Sequence, residues 1–160
     1  MGKVLTNLSV YLAIAEEALA ESTRLSEVGR TPRPDGQPGY IISWDHERKS
    51  FKQSLIAIAF AGMYLEALFG LIAKENLGKD LCKKIDRFSY EEKLGLLLGV
   101  YEKSVLASCT RFRKARNDLM HEKALDIETL GPSEIRTAQE EAVFGVEFVK
   151  SIRRKLQPAS

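Results

Sequence analysis

The residues that could do chemistry are concentrated in the segment TRFRKARNDLMHEK, at positions 110–123. Four cationic side chains lie within six residues there: Arg111, Arg113, Lys114 and Arg116. His121 follows, and histidine is the side chain that most readily exchanges protons near neutral pH. Clustered cations are typical of phosphate binding. The segment therefore predicts a phosphate site, whereas the simpler interpretation is a solvated helix face with His121 at a packed helix end.

Helical spacing would bring part of this segment onto one face. At about 100° per residue, Arg113, Asn117 and His121 share a face through i, i+4 spacing. Arg116 and Met120 lie beside that face. Arg116 and His121, in contrast, are about 140° apart around a regular helix and about 7.5 Å apart along it. A long arginine side chain, a local helix distortion or a second protomer must therefore bring the charge and the imidazole to one substrate.

Several other kinds of active site are excluded by composition. The chain has no Gly-rich phosphate loop and no nucleophile elbow, and its only two histidines are His46 and His121. Cys82 and Cys109 stand alone, so no metal-ligand set is recognisable, and neither a metal nor another cofactor is predicted. His46 is interpreted as a surface or capping histidine. With 24 basic and 22 acidic side chains, any nucleic-acid affinity must come from local clustering.

Hydrophobic periodicity predicts the elements that must position these residues. Apolar residues recur at three- and four-residue spacing in segments that predict helices at about 4–28, 49–74, 90–102, 104–124 and from about 133. Ser89 and Glu92 form a capping-box pattern at the start of the third helix. A Pro- and Gly-rich loop, 29–48, separates the first two. The prediction is an all-α antiparallel bundle of about five helices in a single domain, 1–160.

The second predicted helix contains an apolar run, 55–73, that approaches the length of a membrane span. Glu66 near its middle would cost about 3 kcal/mol in lipid, and a buried core helix is predicted instead. With two unpaired cysteines and no secretory signal, a cytoplasmic protein without membrane contact is expected. Glu66 needs a partner, either an arginine of the 110–123 segment or a structural salt bridge, unless it lies at an exposed helix edge. Tyr64 is predicted to lie in the core or in a dimer interface.

The sequence resembles the HEPN superfamily of small α-helical domains. Nuclease members of that family carry Arg, usually followed by Asn, with four to six residues before His. The run from Arg116-Asn117 to His121 has four intervening residues. It lies late in a predicted helix and follows an apolar helix, 54–75, that looks like the family's core helix. The resemblance covers about 50–155.

The resemblance implies a dimeric, metal-independent endoribonuclease whose two motifs face each other across the dimer interface, so RNA and a second copy of the chain are the expected partners. Attack of an RNA 2′-hydroxyl on its own phosphate needs a base, an acid and a cation near the developing dianion. His121 is assigned to proton transfer, Arg116 to phosphate and transition-state binding, and Asn117 to orientation. Supporting roles are assigned to Asp118 and Glu66. RNA-phosphate binding is assigned to Arg111, Arg113, Lys114 and Lys123.

Two other functions stay open at this point. One is a non-catalytic HEPN module that binds a nucleotide or a partner protein, and the other is a helical adaptor that uses its apolar second helix. The intact pair of Arg116 and His121 favours the enzyme, in a toxin or defence role. A cognate antitoxin is a further expected partner. Lys123 stands where members paired with a nucleotidyltransferase antitoxin commonly carry Tyr, which argues against that kind of antitoxin.

Overall fold

A computed structural model of the chain describes residues 2–42, 47–120 and 131–156. Within these ranges the chain forms six helices and one short antiparallel strand pair, which confirms the predicted all-α bundle. The elements are α1 (Gly2–Val28), β1 (Arg30–Pro32), β2 (Tyr40–Ile42), α2 (Lys49–Asn76), α3 (Lys79–Ile85), α4 (Tyr90–Leu98), α5 (Lys103–Met120) and α6 (Pro132–Leu156).

The most apolar helix, α2, lies at the centre of the bundle, where all five other helices contact it. Leu65 and Phe69 are among its fully buried side chains, and Tyr64 lies in the same core. Among the described helices α2 alone is long and apolar enough to cross a membrane, with a mean hydropathy of 2.1 and 44% of its most apolar window buried within the fold. Core helices of soluble proteins share these properties. The cytoplasmic location stays a prediction.

The start of α4 follows the predicted capping box. The Ser89 hydroxyl accepts a hydrogen bond from the Glu92 amide at 3.2 Å, and the Glu92 carboxylate accepts one from the Ser89 amide at 2.7 Å. The helix ends at Leu98 rather than near 102, because Gly99 adopts a left-handed conformation with a φ of 63°. Tyr90 and Glu91, two residues of the candidate site described below, directly follow Ser89, so the capping box helps to position them.

Two elements were not predicted. The short helix α3 has Asp80 in its first turn and Lys83 in its last, which suits the helix dipole, but two turns are too few to show a hydrophobic repeat. Within the loop predicted to lack regular structure, β1 pairs with β2 in the register Arg30↔Ile42 to Pro32↔Tyr40. Proline is tolerated there because neither strand has a second neighbour that would need its missing amide.

Three buried serines join α1 to α2. The Ser22 hydroxyl lies 2.8 Å from the Ser54 hydroxyl and 3.1 Å from the Ser50 carbonyl oxygen, and the Ser54 hydroxyl donates to that same carbonyl at 3.0 Å. Since all three are fully buried, no water replaces a lost partner.

Replacing Ser22 with alanine is expected to lower the free energy of unfolding by about 1 kcal/mol, because it removes the α1 hydroxyl that bonds to the Ser50 carbonyl and the Ser54 hydroxyl of α2. Urea unfolding of the wild type and the variant measures the difference. Ser108→Ala is the matched control, because that exposed serine bonds to Ser104 of its own helix. Equal losses in both variants would contradict a contribution from the contact between α1 and α2.

Candidate functional site

The site is built on α5, whose buried side carries Cys109, Phe112 and Ala115. Arg111 and Arg113 are two residues apart and therefore about 200° apart around the helix. They flank the buried side on opposite edges instead of forming one basic cluster. The predicted extension of this helix to about 124 lies outside the described residues.

Arg116 lies across α2 and is held there by two oxygen atoms. Its Nη1 donates to Glu66 Oε1 at 2.8 Å and to the Tyr90 hydroxyl at 2.7 Å. Arg116 is 21% exposed and Glu66 45% exposed, so the ion pair sits at the edge of the core with one side open to solvent. The structure thus brings Glu66 to an arginine of the predicted motif, which was one of the partners proposed for it.

Tyr90 bonds to both members of this ion pair. Its hydroxyl donates to Glu66 Oε1 at 2.5 Å while accepting from Arg116, and its buried ring meets Phe69 edge-on. Burial, together with the hydrogen bond to the Glu66 carboxylate, raises the pKa of Tyr90 well above its usual value. Tyr90 therefore stays protonated and acts as a fixed hydrogen-bonding group rather than as a base. We refer to Glu66, Tyr90 and Arg116 as the arginine triad.

The arginine triad leaves hydrogen-bonding capacity on the guanidinium. Arginine carries five N–H donors, and Nη1 supplies the two used here. Among the described residues, no hydrogen-bond partner is found for Nε or Nη2 of Arg116. The guanidinium can therefore bind an anion such as a phosphate without giving up its contacts to Glu66 and Tyr90.

The other predicted cations have different surroundings. Arg111 pairs with Glu141 at 2.8 Å, and its guanidinium carbon lies 3.8 Å from the centre of the Phe144 ring on α6. Arg113 pairs with Glu91 on α4 at 3.3 Å. Lys114 is exposed and has no ion-pair partner within the described ranges. A phosphate at Arg111 or Arg113 would lie beside a carboxylate, as it would at Arg116, whereas Lys114 has no carboxylate partner within the described ranges.

Glu91 is the carboxylate that holds Arg113. Its Oε1 also accepts a hydrogen bond from the Thr110 hydroxyl at 2.7 Å. Partial burial raises the pKa of Glu91, but the hydrogen bond from Thr110 and the charge of Arg113 outweigh it, so the net pKa is lowered. Glu91 is therefore ionised at neutral pH and keeps Arg113 on the α4 side of the helix.

Cys109, next to this pair, is excluded as a nucleophile. It is fully buried, and burial together with the negative charge of Glu91 raises the pKa of its thiol to about 12. The thiolate is the reactive form of cysteine, so the side chain acts as a small apolar group of the core.

The remaining residues of the predicted motif are exposed or lie outside the described chain. Asn117 and Asp118 are exposed on α5 and have no hydrogen bond or ion pair among the described residues. Asp118, which is assigned a supporting role, does not bond to Arg116, whose Nη1 is held by Glu66 and Tyr90. His121, Lys123 and the second histidine, His46, all lie outside the described residues.

Two residues that contact Arg116 were not predicted from the sequence. Tyr90 is 26 residues from Arg116 along the chain, and its capping-box context gave no sign of that contact. Gly62 lies on α2 under the Arg116 side chain. Gly62 did carry a signal, because a glycine inside an apolar helix weakens the helix and often marks a close approach.

Comparisons with protein-family models, curated proteins and solved structures find no match to this chain. Within 2–42, 47–120 and 131–156, no three His, Cys, Asp or Glu side chains come together as a metal ion would require.

Proposed function

We propose that the chain is a metal-independent endoribonuclease of the HEPN type, with Arg116 as the residue that binds the scissile phosphate. The observation that carries the proposal is the arginine triad, in which Glu66 and Tyr90 fix Arg116 while three of its five N–H groups have no partner among the described residues. The fixed position suits a group that must meet charge as it develops in a transition state.

The proposed reaction transfers the phosphodiester within the RNA. The 2′-oxygen forms a bond to phosphorus as the bond from phosphorus to the 5′-oxygen breaks, which gives a 2′,3′-cyclic phosphate and a 5′-hydroxyl. A neutral imidazole takes the proton of the 2′-hydroxyl, and an imidazolium donates one to the leaving 5′-oxygen. Arg116 stabilises the extra negative charge on the phosphoryl oxygens. Asn117 orients the substrate, and Lys114 and Lys123 bind neighbouring phosphates.

The two proton transfers need a base and an acid, and the histidines of each chain are His121 and, outside the motif, His46. A homodimer with two copies of the motif at its interface supplies both without a metal. The resemblance of the motif from Arg116 to His121 to the HEPN family supports this composite site. The same resemblance supports a role in defence or as a toxin and the possibility of an antitoxin.

Incubation of the purified protein with a mixed-sequence RNA in excess chelator is expected to yield fragments with cyclic-phosphate and 5′-hydroxyl ends, because no metal takes part in the reaction. The fragment ends are identified by mass spectrometry. An oligonucleotide with 2′-deoxy sugars at the cut positions is the control and is expected to resist cleavage. Cleavage of that control, or cleavage only after metal addition, would contradict the mechanism. Stable RNA binding without cleavage would favour the non-catalytic HEPN module.

A further inference from the structure

Gly62 is the point at which the Arg116 side chain crosses α2. A Cβ atom at position 62 would lie 2.5 Å from Nε, 2.8 Å from Cδ and 3.1 Å from Cζ of Arg116. All three distances are shorter than ordinary van der Waals contact. Gly70, in the same helix, would meet nothing within 4 Å. Gly62 is buried and Gly70 is exposed, and only at Gly62 would an added methyl group meet Arg116.

The contacts beyond Gly62 decide where the guanidinium ends. Glu66 lies one helical turn after Gly62, so the arginine passes over one residue to reach the other. Tyr90 arrives from α4 and is held by its buried ring, so its hydroxyl offers Nη1 an acceptor in a fixed place. The space at Gly62 and these two oxygens together select one pose of a side chain that is otherwise flexible.

Resting on the proposed function, we propose that Gly62 and Tyr90 are positioning residues for Arg116: Gly62 gives its side chain room to cross α2, and Tyr90, with Glu66, holds Nη1 so that the remaining N–H groups face the RNA phosphate. Neither residue needs to touch the substrate. An arginine displaced by about 1 Å from its productive position is expected to lose much of its effect on the rate.

An alanine at position 62 is expected to stabilise the α2 helix but to displace the Arg116 side chain. An alanine there would favour the helix by up to about 1 kcal/mol relative to glycine. The atoms that it would strike belong to the outer part of the Arg116 side chain, which can rotate away while the α2 backbone stays in place. If Gly62 served only the fold, the substitution would stabilise the protein and leave RNA cleavage unchanged. If Gly62 positions Arg116, the substitution would slow RNA cleavage.

The test compares Gly62→Ala with Gly70→Ala, which has the same gain in helix propensity without the contact to Arg116. Both variants should unfold in urea at the wild-type midpoint or above. The kcat/KM for RNA cleavage should fall at least about 10-fold in Gly62→Ala and stay at the wild-type value in Gly70→Ala. The NMR signal of the Arg116 Nε–H group, assigned by its loss in Arg116→Lys, should shift in Gly62→Ala only.

Tyr90→Phe tests the second half of the proposal. It removes the hydroxyl but keeps the ring in the core, so the Arg116 Nε–H signal should shift and kcat/KM should fall several-fold. Tyr101→Phe is the matched control, because that tyrosine is 68% exposed and has no contact with the arginine triad. Wild-type cleavage by both Gly62→Ala and Tyr90→Phe would overturn the proposal while leaving the ribonuclease in place. If the wild type does not cut RNA, the proposed function fails, and the NMR signal alone decides whether these residues position Arg116.

Discussion

Replacing Arg116 with alanine is expected to lower the rate of RNA cleavage about 10²- to 10³-fold, the loss typical of removing one group that stabilises a developing negative charge. Arg116 is the least exposed arginine of the described motif, and its Nη1 is held by both Glu66 and Tyr90 while Nε and Nη2 have no partner among the described residues. A lysine at this position should restore little, because an ammonium cannot bond to Glu66 and Tyr90 through one nitrogen and present a second to the phosphate. Single-turnover cleavage in chelator measures the loss.

The fold should tolerate the loss of Arg116. Glu66 is 45% exposed, so water can solvate its carboxylate, and the urea midpoint should change little. Arg24→Ala is the control for the removal of an arginine from a carboxylate pair, since Arg24 pairs with Glu21 on α1 far from the motif in sequence. If Arg116→Ala cut RNA as fast as the wild type, phosphate binding would have to be assigned to another cation, with Lys114 first among them.

Local signals explain which parts of the fold could be predicted. The capping box at Ser89 and Glu92 satisfies amides within one turn, so its residues and its effect lie together in the sequence. The burial of α2 follows from its own apolar composition. Neither prediction required knowledge of where another segment would pack.

The sequence was less informative where a contact depends on how separate helices pack against each other. Four cations within six residues suggested a single basic cluster, but the helical turn places Arg111 against α6 and Arg113 against α4. Both find carboxylates there. The pairing of Glu66 with an arginine of the motif could be anticipated, because a carboxylate in an apolar helix needs a partner. Which arginine it meets depends on the crossing of α5 over α2, 50 residues away along the chain.

The geometry also explains why glycine, rather than another small residue, stands at position 62. The arginine stem passes so close to the α2 backbone that even a methyl group would meet it at 2.5 Å. An apolar core helix thereby accommodates a charged side chain at its edge, where Glu66 neutralises the charge and Nη2 has no partner within the part of the chain that the structure describes. This arrangement gives a partly buried cation a defined position without isolating it from a ligand.

Replacing His121 with alanine is expected to lower the cleavage rate about 10²- to 10⁴-fold, because the residue is assigned to both proton transfers. His46→Ala provides the control, since it removes the only other histidine of the chain. Wild-type cleavage by His121→Ala together with loss in His46→Ala would move the acid–base role to the other histidine. Wild-type activity in both variants would contradict histidine catalysis altogether.

A composite site predicts a specific cleavage activity for a mixture in which wild-type and His121→Ala chains are refolded together in equal amounts. If one reaction needs the histidines of both protomers, only about one dimer in four has a complete site, and the activity should fall to about one quarter of that of the wild type at the same total concentration. If each chain carries a complete site, the activity should be about one half. Sedimentation of the mixture verifies that dimers form. An activity near one half would refute the shared site, and base and acid would then have to be sought within a single chain, where His121 has no second histidine of the same motif to work with.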